Sequence, residues 1–294
     1  MEKTILFSPV KQDPNTLSLF LKSISNIKCN NYYEIWLYDD NENLKSKELL
    51  SLFSENNKNI LIINNQFDYD VPYMKDKNTH LWNVELIEKI TKIKNFIIKK
   101  FLFTDFNEIF LIDSDLLLHP NTLMHLQSLK APIVSEVFWT KFFKNDFYKP
   151  NVWDFHIYEF FSAESIIKLK KPGVYKVGGL GACTLVQREP LEKNVHFSKI
   201  EGLELWGEDR YFCTRASCHG FDLLADTHFP PFHIYRSQQL KYAETWYTNG
   251  CSRDFFDSWL DSKWENRVNK EFKSLFRKLI PRTLRKLARI LEKY

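Results

Sequence analysis

Glycine is scarce in this chain of 294 residues: there are eight, none before Gly173, and seven of them lie between Gly173 and Gly220. A chain this sparing with glycine uses it locally for tight turns or for close approach of backbone to a ligand, and Gly178-Gly179-Leu180-Gly181 is the densest stretch. The five cysteines (29, 183, 213, 218, 251) are odd in number, scattered and without a Cys-x-x-Cys pair, which argues against a disulfide framework or a zinc cluster. No run of about 18 apolar residues occurs, so no spanning helix is expected. There is no Asn-x-Ser/Thr acceptor, and no signal-type apolar stretch precedes Ile5-Leu6-Phe7. Together these absences point to a reducing, cytoplasmic setting.

What is present is ordinary for a globular protein: 44% hydrophobic and 27% charged residues, enough to bury a sizeable core. The net charge of +4 hides an asymmetry. Residues 267–294 hold ten Lys/Arg against two Glu and carry +8, so residues 1–266 carry −4. A slightly acidic body does not suit a protein that coats nucleic acid, and no nucleic-acid partner is expected. In the tail, Phe272, Leu275, Phe276 and Leu279, then Leu284, Leu287, Ala288 and Leu291 after Pro281, fall at helical spacing with basic residues on the other faces. That pattern fits an amphipathic helix lying on an anionic membrane surface, or terminal helices packed on the domain or on a second copy in a homo-oligomer.

The first half alternates strand-like and helix-like stretches. Ile5–Phe7 is a short apolar run that stops at Ser8-Pro9, and Leu17–Ile27 has helical spacing. Tyr33–Tyr38 reads as a strand ending at Asp39-Asp40, Leu44–Phe53 as a helix and Asn59–Ile63 as a third strand. Val84–Phe103 reads as a long helix with Ile87, Ile90, Ile93 and Ile97 on one face, and Glu108–Ile112 as a fourth strand stopping at Asp113. This alternation predicts an α/β fold: a Rossmann-like, mostly parallel sheet flanked by helices. Ligands bind outside the carboxyl ends of such strands, and two of the four runs end in paired acids.

Asp113-Ser114-Asp115 is the sharpest of these, two carboxylates one residue apart between apolar runs. Buried carboxylates need a partner, and a hard divalent cation is one; solvated acids in a strand-end turn are the plain alternative. Trp206-Gly207-Glu208-Asp209 precedes a helix-like stretch, so its acids either complement a helix N-terminus or supply a general base beside a pocket. Asp226-Thr227-His228 through His233-Ile234-Tyr235-Arg236 offers imidazole as a metal ligand or simply packed histidines. Asp39-Asp40 either accepts hydrogen bonds from a base or ribose or forms an ordinary acidic loop.

These pieces, in this order over residues 4–236, resemble the GT-A class of nucleotide-sugar-dependent glycosyltransferases. Asp39-Asp40 is similar to the nucleotide-contacting acids of family 2 enzymes, Asp113-Ser114-Asp115 to the metal-binding Asp-x-Asp, Glu208-Asp209 to the Glu-Asp of the acceptor-side helix, and His233 to the histidine that completes the metal site. The middle of the chain also resembles the fungal mannan-polymerase family. The similarity there lies in Lys94-Asn95, Asn151-Val152-Trp153, Gly178-Gly179 with Thr184-Leu185-Val186, and His196-Phe197, although Lys94 stands where that family has Arg.

The resemblance implies a GT-A domain over 1–265, with its nucleotide-sugar half about 1–120 and its acceptor half about 121–240, and a tail over 266–294. The donor is a nucleotide-diphosphate sugar held by Pro9, Asp39, Asp40, Lys94, Asp113 and Ser114. Asp113, Asp115 and His233 hold Mn2+ or Mg2+, while Trp206, Gly179 and Trp153 line the site for a glycan or lipid-linked acceptor. In an inverting enzyme Asp209, or alternatively Glu208, deprotonates the acceptor hydroxyl; in a retaining one these acids position it. A tail on the inner face of the membrane suits such an acceptor. Two other readings are a sugar nucleotidyltransferase, disfavoured because Ser8–Pro14 has no glycine, and a sugar-binding scaffold of the same fold without turnover.

Overall fold

The computed structural model describes residues 2–65, 67, 83–141, 148–154, 163–203 and 207–261. Trp206 and the basic tail lie outside the described residues. In chain order the strands are β1 (Lys3–Val10), β2 (Tyr32–Asp39), β3 (Ile60–Asn64), β4 (Glu108–Leu111), β5 (Leu116–Leu117), β6 (Ile133–Glu136), β7 (Trp139–Thr140), β8 (Lys149–Pro150), β9 (Val152–Trp153), β10 (Val174–Val177), β11 (Gly179–Leu180), β12 (Thr184–Gln187), β13 (Leu223–Asp226) and β14 (Phe232–His233). The helices are α1 (Pro14–Ser25), α2 (Leu44–Glu55), α3 (Val84–Leu102), α4 (Thr122–Ser128), α5 (Ala163–Leu169), α6 (Arg188–Glu192), α7 (Glu208–Cys218) and α8 (Leu240–Thr248).

Eight strands form one sheet in the order β10-β13-β6-β12-β4-β1-β2-β3. The pairs β3–β2, β2–β1, β1–β4 and β6–β13 are parallel; β12 runs against both β4 and β6, and β10 against β13. The interior strands bury both faces, so their sequences are nearly continuous apolar runs. Alternate side chains of each strand enter different cores. Ile5, Phe7, Trp36, Tyr38, Ile109 and Leu111 pack with Ile93, Ile97 and Phe101 of α3, whereas Leu6, Val10, Ile35, Leu37, Phe110 and Ile112 pack with Leu17, Phe20 and Ile24 of α1. The helices begin on side-chain caps: Asp13 accepts from Asn15 N and Thr16 N, Asn43 from Lys45 N and Ser46 N, and Asn83 from Leu86 N.

One boundary differs from the sequence reading. β1 does not stop at Ser8-Pro9 but runs on to Val10, paired with β2 through Pro9↔Tyr38 and Val10↔Asp39. Its pairing with β4 ends at Phe7↔Leu111, so Pro9 lies where one side of β1 has no neighbouring ladder and the missing N–H costs nothing there. This divergence has a topological cause. From β1 the chain winds outward through β2 and β3, then α3 carries it back to β4 on the opposite side of β1. The order reverses between β1 and β4, and a crevice opens at their carboxyl ends.

The glycine-rich stretch has its own packing role. β11 pairs antiparallel with β9, Gly179 opposite Trp153, and Gly178 N donates to Trp153 O at 2.8 Å. A Cβ on Gly179 would sit 1.7 Å from the indole, and one on Gly181 would sit 1.6 Å from Asn151 Nδ2. These glycines make room for protein side chains.

Gly179→Ala is therefore expected to lower stability by about 1–3 kcal/mol in urea unfolding, as overpacking does. In a Trp153→Ala background the same substitution should cost much less; an equal cost in both backgrounds would remove this account of the glycine.

Candidate functional site

The crevice between the ends of β1 and β4 is a partly open cavity. Phe7, Pro9, Leu111 and Ile112 contribute its sheet side, Leu180, Gly181, Ala182 and Thr184 one wall, and Phe197 and Phe212 another. The charged residues in its lining are Lys94, Asp113 and Asp209. Three sequence motifs far apart in the chain thus face one space, in the place the sheet order dictates.

Lys94 reaches this space from α3. Its Nζ lies 2.6 Å from Glu208 Oε1 and 2.8 Å from Asp209 Oδ1, both in the first turn of α7, and 4.8 Å from the centre of the Phe197 ring. Burial alone would lower the Lys94 pKa, but Asp209, Glu208 and Asp113 around it raise it, so the ammonium is held charged. Gly207 precedes α7 with φ +118, a conformation side chains rarely adopt, and it turns the chain so that both acids enter at the first helical turn. Glu208 is buried, whereas the Asp209 side chain keeps 30% exposure and faces the cavity. Burial pushes Asp209 up to about 6, with Lys94 pulling against it and Glu208 adding to it. It pushes Asp113 up to about 7, opposed by Lys94 and reinforced by Asp115.

Beyond β4 the chain turns through Asp113-Ser114-Asp115, with Leu116 N donating to Asp113 O at 3.2 Å and Ser114 buried. The short ladder of β5 with β14 sets Leu116 opposite His233, and Ile234 N donates to Asp115 O at 2.9 Å. In consequence Asp115 Oδ2 and His233 Nε2 are 3.3 Å apart. The other ring nitrogen, His233 Nδ1, is 2.9 Å from Thr140 Oγ1, and Phe138 meets the ring edge-on at 5.0 Å. A carboxylate oxygen and an imidazole nitrogen at this separation, with the far nitrogen anchored, fit two ligands of one divalent cation. The raised pKa of Asp113 fits as well, because a cation would relieve the crowding of negative charge. The residues present therefore suit Mn2+ or Mg2+.

Other expected residues have partners of their own. Asp40 is ion-paired with buried Lys89 at 2.7 Å and accepts from Asn65 Nδ2 at 2.8 Å, while Asp39 Oδ1 accepts from Asn41 N at 2.9 Å. Both sit at the carboxyl end of β2, beside β1. Gly179 and Trp153 pack on each other next to the cavity wall, at β11 and β9. Thr140 and Lys89 were not singled out from sequence. They carry no motif and acquire their roles only through tertiary contact.

No protein-family model matches the chain, and no curated protein sequence matches it. Solved structures do. TarS 1-349 of S. aureus in complex with UDP superimposes with a TM-score of 0.51 at 11% identity, over 82% of this chain and 62% of that one. The mannosyltransferase PcManGT of Pyrobaculum calidifontis, with GDP-Man and Mn2+, gives 0.52 at 10% identity, over 81% and 59%. GalNAc-T7 with UDP, GalNAc and Mn2+ gives 0.53 at 15% identity, over 80% and 43%. The chain thus spans less than two thirds of each of these proteins. The likeness establishes the fold: a large, mostly parallel sheet flanked by helices, the GT-A architecture.

The raised Asp113 pKa has a consequence for stability. Its folded carboxyl binds a proton between about pH 4 and about pH 7 that the unfolded chain has released, so its contribution to stability falls as pH rises through that window. For the metal-free protein, Asp113→Asn is expected to be more stable than wild type at pH 8, by about 1–2 kcal/mol for a partly exposed carboxyl, with no gain near pH 4. Thermal melts across this range check it, and an Asp113→Asn gain independent of pH would contradict the shift.

Proposed function

We propose that this protein is a metal-dependent glycosyltransferase that moves a sugar from a nucleotide-diphosphate sugar to a hydroxyl of a glycan or lipid-linked acceptor. The observation that carries the reading is the convergence of Asp113, Lys94 and Asp209 on one cavity at the β1–β4 crevice, with the Asp115–His233 pair on the turn that leaves it. The UDP, GDP-Man and Mn2+ in the complexes of similar fold support the class of donor and metal.

Asp113, Asp115 and His233 would hold the metal, which supplies positive charge to the departing nucleotide diphosphate. Pro9, at the end of β1, and Asp39, at the end of β2, lie along the same sheet edge and would face the nucleotide. Asp40 would act through Lys89 to hold that edge. Asp209 is the general base of this reading. Its carboxylate takes the acceptor proton as the hydroxyl oxygen bonds to the anomeric carbon and the bond to the diphosphate oxygen breaks, which inverts the configuration. A base poised at about 6 is ionised at neutral pH yet still basic enough to assist. Glu208, more deeply buried on the same ammonium, would be a positioning residue that helps Lys94 fix the carboxylate. Lys94 would also keep its own positive charge near the donor when Asp209 is protonated.

Under this reading Asp209→Asn lowers kcat about 10²–10⁴-fold with little change in donor KM. The wild-type kcat/KM should rise with pH through about 6 as Asp209 loses its proton. Asp115→Ala should abolish Mn2+-dependent turnover in a screen of nucleotide-sugars; full activity would remove the metal assignment. Proton NMR of the first-formed product separates the two stereochemical routes. A retained anomeric configuration overturns the base role and leaves Asp209 as an acceptor-positioning group, as the mannan-polymerase resemblance implies. Donor binding with no turnover on any acceptor would favour a scaffold.

A further inference from the structure

A second group of metal-ligating side chains lies apart from the cavity, at the carboxyl end of β13, which β6 and β12 separate from β4. Asp226 closes β13, His228 follows two residues later, and His125 projects from α4. One oxygen, Asp226 Oδ2, lies 3.1 Å from His125 Nε2 and 2.9 Å from His228 Nδ1, and the three ligand atoms all fall within 4.8 Å of one another.

We propose that His125, Asp226 and His228 form a second divalent-cation site, of the zinc class, that pins α4 to the start of the segment carrying His233. Tetrahedral zinc with bonds of about 2.0–2.1 Å sets its ligand atoms about 3.3 Å apart, close to the two carboxylate–imidazole separations seen here. Two imidazole nitrogens and one carboxylate oxygen suit zinc, whereas magnesium and calcium favour sets made of oxygen.

The surroundings are built for it. Asp226 is fully buried, and its Oδ1 already accepts from His228 N at 2.9 Å, which aims Oδ2 outward at the imidazoles. Glu136 on β6 stands directly opposite Asp226. It is fully buried, its Oε1 accepts from Phe229 N at 2.8 Å, and its carboxyl shares a hydrogen bond with Asp226. Phe229 packs edge-on against His125 at 5.2 Å and limits its swing. The two histidines keep 23% and 36% side-chain exposure, so a cation can enter and water can fill a fourth position. Each imidazole can present its inner nitrogen to the cation by carrying its proton on the other one. His233 follows Asp226 by seven residues, so the cation would tether the segment that supplies this ligand of the first site.

The test is calorimetric titration of untagged, chelator-stripped full-length protein with Zn2+ in excess Mg2+, together with Asp115→Ala and the double variant His125→Gln/His228→Gln. One equivalent of Zn2+ should bind wild type and Asp115→Ala alike, and the double variant should bind at least 10-fold more weakly. Unchanged Zn2+ affinity in the double variant overturns the proposal, as does the loss of all Zn2+ binding in Asp115→Ala, which would assign the ion to the first site. Should the double variant not fold, Co2+ bound to the Asp115→Ala protein decides: an intense four-coordinate visible spectrum supports the site, and a weak six-coordinate one rejects it. The outcome is independent of glycosyl transfer, because it is read without donor or acceptor.

Discussion

A buried ammonium group holds the crevice at the end of the sheet together. Lys94 extends from α3 between Glu208 and Asp209 of α7, in a space that also contains Asp113. Without that positive charge, acids from two separate elements would face one another in a poorly solvated crevice, which costs several kcal/mol per unpaired ion. With it, α3 and α7 are bridged across the sheet end, and the Phe197 ring closes over the ammonium. The bridge still leaves negative charge in excess, since Asp113 and Asp115 add to the two acids that Lys94 holds. Burial is the chief cause of the raised Asp113 and Asp209 pKa values, and the neighbouring acids add to it.

The sheet explains why these groups meet. β1 and β4 separate after Phe7 and Leu111, and everything that leaves the sheet at that level looks into the opening. β12 runs antiparallel between β4 and β6, so the chain entering it, from Gly181 to Thr184, arrives at the same level as the chain leaving β4. The glycines just before it admit Trp153 and Asn151 and bring the wall close enough to bound the cavity.

Much of this was legible in the sequence for a physical reason. Interior strands must be apolar on both faces, so Ile5–Phe7, Tyr33–Tyr38 and Glu108–Ile112 stand out, and a carboxylate that interrupts such a run is conspicuous. α3 announced itself by the spacing of Ile87, Ile93 and Ile97, all of which are buried. Less legible were features decided by partners far along the chain. Pro9 looked like a strand terminator because sequence does not show that one side of β1 lies open at that residue. The pairing of Asp40 with Lys89, 49 positions away, has no local sign in the sequence. Gly178-Gly179 is legible as a tight turn or a close backbone approach, but sequence does not show that Trp153 is the close neighbour of Gly179. Thr140 has no pattern at all; only the fold sets it against His233.

The ladder of β5 with β14 joins Asp115 to a residue 118 positions later. A ribosome emits the N-terminal half first, so the sheet from β1 to β4 and the turn bearing Asp113 and Asp115 can assemble while His233 is still unmade. The Asp115–His233 contact can form only once His233 has emerged, and the loop it closes is long, which defers this contact further. The pairing of β5 with β14 thereby comes late in the life of the nascent chain, after β1 to β4 have taken shape.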